Sequence, residues 1–171
     1  MPTILLFFGR PAVGKTTIID HTFPEHYKVD VFLYVESYLK NGWITKDESL
    51  ESCKKAYASL ANFKCHHPVT IIAEFGTSCP ELNVIKIKEL IKKRKKILVF
   101  ICEAPSTVCL KRIKSRSGMN NAQLRQKILQ RNSIQDLAQQ FGRANIPYHL
   151  LDMTKDLETN KKIILDRLSP L

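Results

Sequence analysis

Gly9-Arg10-Pro11-Ala12-Val13-Gly14-Lys15-Thr16 is the stretch that decides the fold. It has the form G-x-x-x-x-G-K-T, and it begins where the apolar run Thr3-Ile4-Leu5-Leu6-Phe7-Phe8 stops. A helix-compatible segment, Thr17-Ile18-Ile19-Asp20, follows it. Strand, glycine loop and helix in this order form a cradle for a polyphosphate. The glycines let backbone N–H groups face the phosphates, and the helix N-terminus adds a partial positive charge. The lysine reaches the β- and γ-phosphates, and the threonine hydroxyl ligates Mg²⁺. The expected nucleotide-binding residues are therefore Gly9, Arg10, Pro11, Ala12, Val13, Gly14, Lys15, Thr16 and Thr17, with Lys15 catalytic as well and Thr16 a metal ligand.

Outward from this loop the chain alternates strand and helix. Tyr27 to Leu33 reads as a second strand. A helix starts near Thr45, where Glu48 completes a capping box, and Leu50, Cys53, Tyr57, Leu60 and Ala61 repeat at helical spacing. Val69 to Glu74 reads as a third strand. Ser78 and Glu81 have the spacing of a second capping box, opening a helix to about Arg94. Ile97 to Cys102 is a fourth strand, followed by a helix through Val108, Cys109 and Ile113. From Asn121 one long helix is expected to run to Phe141, with Gly142 as its stop. Pro147 to Leu151 is a short fifth strand, and a last helix carries Leu157, Ile164, Leu165 and Leu168. Five strands alternating with helices predict an α/β fold: a three-layer, doubly wound, parallel five-stranded sheet of the P-loop NTPase type. The expected organisation is one domain over residues 1–171, with a short lid around 112–131.

Composition narrows the function classes. The chain has 171 residues, 44% of them hydrophobic, which suffices for a packed core. No apolar run approaches the ~20 residues that span a bilayer, and no basic segment precedes the first apolar run, so neither a membrane span nor a signal peptide is expected. Five scattered cysteines with no C-x-x-C fit a reducing, cytoplasmic setting. The net charge is +11, part of which a polyphosphate pocket requires. The run Lys92-Lys93-Arg94-Lys95-Lys96 lacks interleaved aromatics. It reads as a solvated helix end, with nucleic-acid contact the less favoured alternative.

In doubly wound sheets ligands bind beyond the carboxyl ends of the strands. Glu74 ends an apolar strand, where a carboxylate can hold a Mg²⁺-bound water beside Thr16, the Walker-B arrangement; a solvated strand end is the plainer reading. Asp30 sits between apolar residues, a costly place for an unpaired charge. It can accept the proton of an acceptor hydroxyl, or cap a helix. Glu36 is a second base candidate. Arg112 and Arg116 lie four apart on one helical face and can neutralise charge on a transferring phosphoryl group. Arg125 and Arg131 can add to that clamp or lie on a solvated face. Cys65-His66-His67 lacks a second cluster at metal-ligand spacing. Trp43 can floor an acceptor pocket or simply pack.

With these residues in place the chain resembles a small P-loop kinase of the nucleoside-monophosphate-kinase-like group, which includes shikimate and gluconate kinases, chloramphenicol phosphotransferase and the zeta toxins. The resemblance is specific at Gly9 to Thr16. It extends to Phe100-x-x-x-Ala104-Pro105-x-x-Val108-x-Leu110-x-Arg112-x-x-x-Arg116, similar to the fourth strand and lid entrance of that group. It implies that Arg112 lies against the adenine, that Arg116 touches the phosphates, and that Asp152 to Lys155 borders the base. Phe23-Pro24-Glu25 followed by Val29-Asp30-x-x-Leu33 looks most like the chloramphenicol phosphotransferase branch, which implies Asp30 as catalytic base. The chain lacks the D-x-D of shikimate kinases, and has Glu74-Phe75-Gly76-Thr77 where polynucleotide kinases carry an Asp-centred motif. The expected function is an ATP- and Mg²⁺-dependent transfer of the γ-phosphoryl to a hydroxyl of a small molecule. The alternatives are a kinase acting on a nucleotide or a nucleic-acid 5′-hydroxyl, and a nucleotide-binding protein without transfer. A GTP switch would need N-K-x-D after a strand, which Asn160-Lys161-Lys162-Ile163 does not supply.

Overall fold

The computed structural model describes residues 3–25, 27–30, 44–63, 70–93, 95–113, 121–129 and 133–168. Five strands, β1 (Thr3–Phe8), β2 (Tyr27–Asp30), β3 (Thr70–Phe75), β4 (Lys96–Glu103) and β5 (His149–Asp152), form one sheet in the order β2-β3-β1-β4-β5. Every neighbouring pair is parallel. The central strand β1 is apolar along its length because both of its faces are covered. Ile4, Leu6 and Phe8 enter one core with Ile71, Ala73, Phe75, Val99 and Ile101. Leu5 and Phe7 enter the other with Ile72, Phe100, Cys102 and Leu151. This two-residue alternation, with apolar groups on both sides, is what requires helices on both faces.

Those helices, among the described residues, are α1 (Lys15–Thr22), α2 (Lys46–Asn62), α3 (Pro80–Lys92), α4 (Ser106–Arg112), α5 (Asn121–Leu129), α6 (Ser133–Arg143) and α7 (Leu157–Leu168). Residues of α2, α3 and α6 fill the first core, and residues of α1, α4, α5 and α7 fill the second. β1 and β3 are adjacent, yet their following helices, α1 and α3, lie on opposite faces. The loops therefore part above these two strands and leave a crevice at the carboxyl edge.

Three local expectations are corrected. The helix expected from Asn121 to Phe141 is two helices. Leu124 and Ile128 are buried in one core, whereas Ile134, Leu137 and Phe141 are buried in the other. On one continuous helix at ~100° per residue these two sets would face roughly opposite ways. Gly142 is not the stop; it lies within α6, and Asn145 takes the left-handed conformation with φ of 54° after the helix ends. The Ser78 and Glu81 capping box does not form, because Cys79 occupies the N-cap position, with Pro80 next to it. Glu81 instead accepts a bond from Gln140 Nε2 at 3.1 Å. The Thr45 and Glu48 box forms as expected, with both reciprocal bonds present. Of the second strand, the described part is Tyr27–Asp30; residues 31–33 lie outside the described residues.

The first core holds the loop after β3. Tyr57 stacks on Phe75 at 4.7 Å between ring centres. Its hydroxyl donates to Asn83 Oδ1 at 3.0 Å, and Asn83 Nδ2 donates to Ser78 O at 3.2 Å. Burial pushes the Tyr57 phenol well above its ordinary range, so it stays a neutral donor.

Candidate active site

The loop between β1 and α1 has its shape imposed from below. A Cβ on Gly9 would lie 2.9 Å from Cys102 O and 2.9 Å from Val13 Cγ1, so only glycine fits there. Gly9 N donates to Phe75 O at 3.3 Å, tying the loop to β3. Gly14 has φ of 107°, a left-handed conformation that glycine adopts freely. From Gly14 the chain enters α1, whose first N–H groups open onto the crevice. The Lys15 ammonium lies along the loop, donating to Gly9 O at 2.8 Å and Arg10 O at 3.1 Å.

Thr16 and Glu74, the two residues expected to serve a metal, touch each other. Thr16 Oγ1 donates to Glu74 Oε1 at 2.8 Å, and Glu74 is buried at the end of β3. These are hard oxygen donors suited to Mg²⁺. Among the described residues no cluster of three or more His, Cys, Asp and Glu side chains could hold a metal ion. A cation here would rely on phosphate oxygens and water for the rest of its shell, as Mg²⁺ commonly does. The oxygen pair and the cradle that a Cβ at Gly9 would fill both fit Mg²⁺ with a polyphosphate.

Arg112 closes the other side of the loop. Its Nη1 donates to Val13 O at 2.7 Å and its Nη2 to Met153 O at 3.1 Å. Arg112 thus joins the Gly9 to Lys15 loop to the turn after β5, over Gly14. That turn is built by Asp152, whose Oδ1 accepts from Thr154 N at 3.0 Å and from Thr154 Oγ1 at 2.6 Å. These bonds hold the exposed Asp152 carboxyl below its ordinary range. Asn160 Nδ2 donates to Asp152 O at 2.9 Å and ties the turn to α7.

Arg10 belongs to the loop by its backbone, but its side chain turns away from the crevice. It donates to Ala104 O at 2.6 Å, Ile128 O at 2.9 Å and Ser106 Oγ at 2.8 Å, and it is buried. This tie between loop, α4 and α5 was missed by sequence reasoning, because two of its acceptors are backbone carbonyls. Gln123 was missed for the same reason: its Nε2 donates to Ile44 O at 3.1 Å and joins α5 to the start of α2.

Asp30 is the register partner of Glu74, which in turn is the partner of Phe7. It therefore stands two strands from β1 and the loop that follows it, level with Glu74. Arg125 is exposed on α5, and Lys92, Lys93 and Lys96 are exposed around the end of α3 and the start of β4. Arg116, Glu36, Trp43, Arg131, Arg94, the Cys65-His66-His67 segment and residues 114–120 of the expected lid lie outside the described residues. Among the described residues no helix is long and apolar enough to cross a membrane.

No protein-family model and no curated protein matches the chain. Solved structures do match over nearly its whole length. Shikimate kinase from Bacteroides thetaiotaomicron is 15% identical with a TM-score of 0.60, covering 97% of this chain and 98% of that one. Deoxyadenosine kinase from M. mycoides, bound to dCMP and dCDP, is 13% identical with a TM-score of 0.60, covering 96% and 97%. A sugar kinase from Janibacter sp. is 14% identical with a TM-score of 0.61, covering 98% and 95%. The structural neighbours are thus small P-loop kinases at low identity, and the chain has their α/β fold with its parallel sheet.

Proposed function

We propose that the chain is an ATP- and Mg²⁺-dependent phosphotransferase acting on a hydroxyl of a small molecule. The observation that carries this reading is the contact of Thr16 with Glu74 at 2.8 Å, directly beside the Gly9 to Lys15 loop. This oxygen pair stands beside the N-terminus of α1, where a triphosphate would present its oxygens to a divalent cation. The structural neighbours supply the precedent: they are enzymes named for phosphorylating shikimate, deoxyadenosine and a sugar.

In this reading backbone N–H groups of Gly14 to Thr17 bind the phosphates and Lys15 leaves its carbonyl partners to neutralise them. Thr16 and, through water, Glu74 would hold Mg²⁺, which would supply neutralisation of phosphate charge. Asp30 orients the acceptor hydroxyl and takes its proton as the oxygen bonds to the γ-phosphorus and the bond to the bridging oxygen breaks. Glu36 and Glu74 are the other candidates for that proton. Arg112 fixes the loop against the turn that borders the base, and Arg116 meets the charge on the transferring group. The chain works as one domain, 1–171, with residues 112–131 as its lid, and its setting is cytoplasmic. A nucleotide acceptor is a second reading, favoured by the +11 net charge.

The test is ADP release from MgATP with three separate acceptor pools: hydroxylated metabolites and antibiotics, nucleoside monophosphates, and 5′-hydroxyl oligonucleotides. Stimulation by the first pool is expected. A Lys15→Ala chain should lose ADP release by at least ~100-fold while its unfolding temperature stays close to wild type; undiminished release in that variant would remove the site from this loop. Tight ATP binding with no stimulated release by any pool would leave a nucleotide-binding protein and overturn the transferase reading.

A further inference from the structure

Four described cysteines are free thiols, and they fall into two kinds. Cys102 and Cys109 are buried among the side chains of the second core. Burial pushes Cys102 up to about 12 and raises Cys109 as well, so both are inert. Cys53 and Cys79 differ. They lie on separate elements, α2 and the start of α3, each one helical turn before the pair Tyr57 and Asn83, which bond across these two helices at 3.0 Å.

The surroundings of Cys79 are those of a reactive thiol. It is half-buried and lines a cavity of about 340 Å³ together with Thr45, Lys46, Lys127 and Asp136. Its backbone is left-handed, with φ of 57°, at the N-cap position of the 13-residue helix α3. The neighbouring Cys53 thiol brings the Cys79 thiol down to about 7, and Lys46 and Lys127 act in the same direction against partial burial and Glu81. Burial in turn lowers the Lys127 ammonium, and the two thiols partly offset that effect. Cys53 is 5% exposed and pushed upward by the Cys79 thiol and by burial, so it waits behind Cys79.

We propose that Cys53 and Cys79 form a reversible dithiol–disulfide site, with Cys79 the attacking thiol, Cys53 the resolving thiol and a hydroperoxide the oxidant. The Cys79 sulfur attacks one peroxide oxygen, the O–O bond breaks, and an alcohol, or water from H₂O₂, leaves with the thiol proton. Cys79 is then a sulfenic acid. The Cys53 sulfur attacks it, the S–S bond forms, the S–O bond breaks, and water leaves with the Cys53 proton. Two thiols give up two electrons and one peroxide accepts them. The bond ties α2 to the start of α3, four residues beyond the Glu74-Phe75 strand end, on the crevice side of the sheet. This site stands apart from the transferase reading and survives or falls without it.

The experiment uses the full chain carrying Cys65→Ser, because one tryptic peptide, residues 65–86, holds both Cys65 and Cys79. One equivalent of H₂O₂ should remove two titratable thiols. It should cross-link peptide 47–54 to peptide 65–86, and dithiothreitol should restore both thiols. Alkylation by iodoacetamide should modify Cys79 at least about tenfold faster than Cys102 or Cys109, with a midpoint near pH 7. A further Cys53→Ser change should stop the cross-link and leave a dimedone-trappable sulfenic acid on Cys79. Oxidation of Cys79 to a sulfinic acid without cross-linking, or alkylation of Cys79 no faster than of Cys102, would overturn the proposal. If Cys53→Ser fails to fold, the cross-link and the alkylation ratio in the Cys65→Ser chain decide by themselves.

Discussion

Thr16 Oγ1 and Glu74 Oε1 stand 2.8 Å apart, although 58 positions separate them in the chain. One residue opens α1 and the other ends β3, so the contact spans the crevice between adjacent strands whose helices depart to opposite faces. The proposed donor chemistry depends on that juxtaposition, and it is open to direct perturbation.

Glu74→Gln keeps an acceptor for the Thr16 hydroxyl but removes the charge that would hold a Mg²⁺-bound water. The concentration of Mg²⁺ required for half-maximal nucleotide binding should rise about 10- to 100-fold, with little change in metal-free nucleotide binding. Titration calorimetry with and without Mg²⁺ separates the two quantities. An unchanged Mg²⁺ requirement would exclude Glu74 from the metal site.

Gly9→Ala places a methyl group 2.9 Å from Cys102 O, a backbone atom of the neighbouring strand that cannot rotate away. The loop must lift or the strand must shift, at a cost of about 1–3 kcal/mol. Urea unfolding should register that loss, accompanied by weakened nucleotide binding. Wild-type stability would mean that the loop is looser than its packing indicates.

Arg10→Ala should destabilise the chain by about 3 kcal/mol, because Ala104 O and Ile128 O lose a charged donor in a buried setting. Arg10→Lys should recover little, since an ammonium cannot span acceptors on α5 and beside α4 as a guanidinium fork does. Thermal unfolding of the three proteins checks this. If alanine were neutral in stability but abolished nucleotide binding, Arg10 would have to act on the ligand instead.

Asp152 should titrate below 3.8, held down first by the Thr154 hydroxyl and then by the Thr154 backbone N–H. Its folded value is depressed, so its contribution to stability is present above the unfolded value and is lost as pH falls through the folded one. Thr154→Val removes the larger cause and should move the midpoint up towards 3.8. Carboxyl-carbon NMR reads the midpoint directly, and no shift in the variant would contradict the turn geometry.

The parts of the candidate site that were legible in the sequence are those whose proposed role needs a fixed residue type at a fixed spacing. The glycine loop, Lys15 and Thr16 carry their geometry within eight residues, and Glu74 is marked as the acid that ends an apolar strand. Thr45 with Glu48 was legible because both halves of the bond are side chains three residues apart. Ser78 with Glu81 has the same pattern and fails, since Pro80 moves the start of α3 one residue onward. The division of α5 from α6 was hidden because both halves are helical; only the change of buried face, from Leu124 and Ile128 to Ile134, Leu137 and Phe141, reveals it. The ties made by Arg10 and Gln123 end largely on carbonyl oxygens, which every residue possesses, so no sequence pattern points to them.

The departure of α1 and α3 to opposite faces of the sheet has a thermodynamic consequence. The loop around Lys15 rests on one hydrophobic core and the loop around Thr77 on the other, with the sheet as an insulating layer between them. Repacking substitutions under α1, at Ile18 or Ile164, and under α3, at Ile87 or Leu60, should therefore combine additively, within about 0.5 kcal/mol. Among the described residues, coupling between the two halves runs through links such as Thr16 with Glu74, Gly9 with Phe75 and Gln123 with Ile44. Each rim of the crevice can change its sequence while the other keeps its shape.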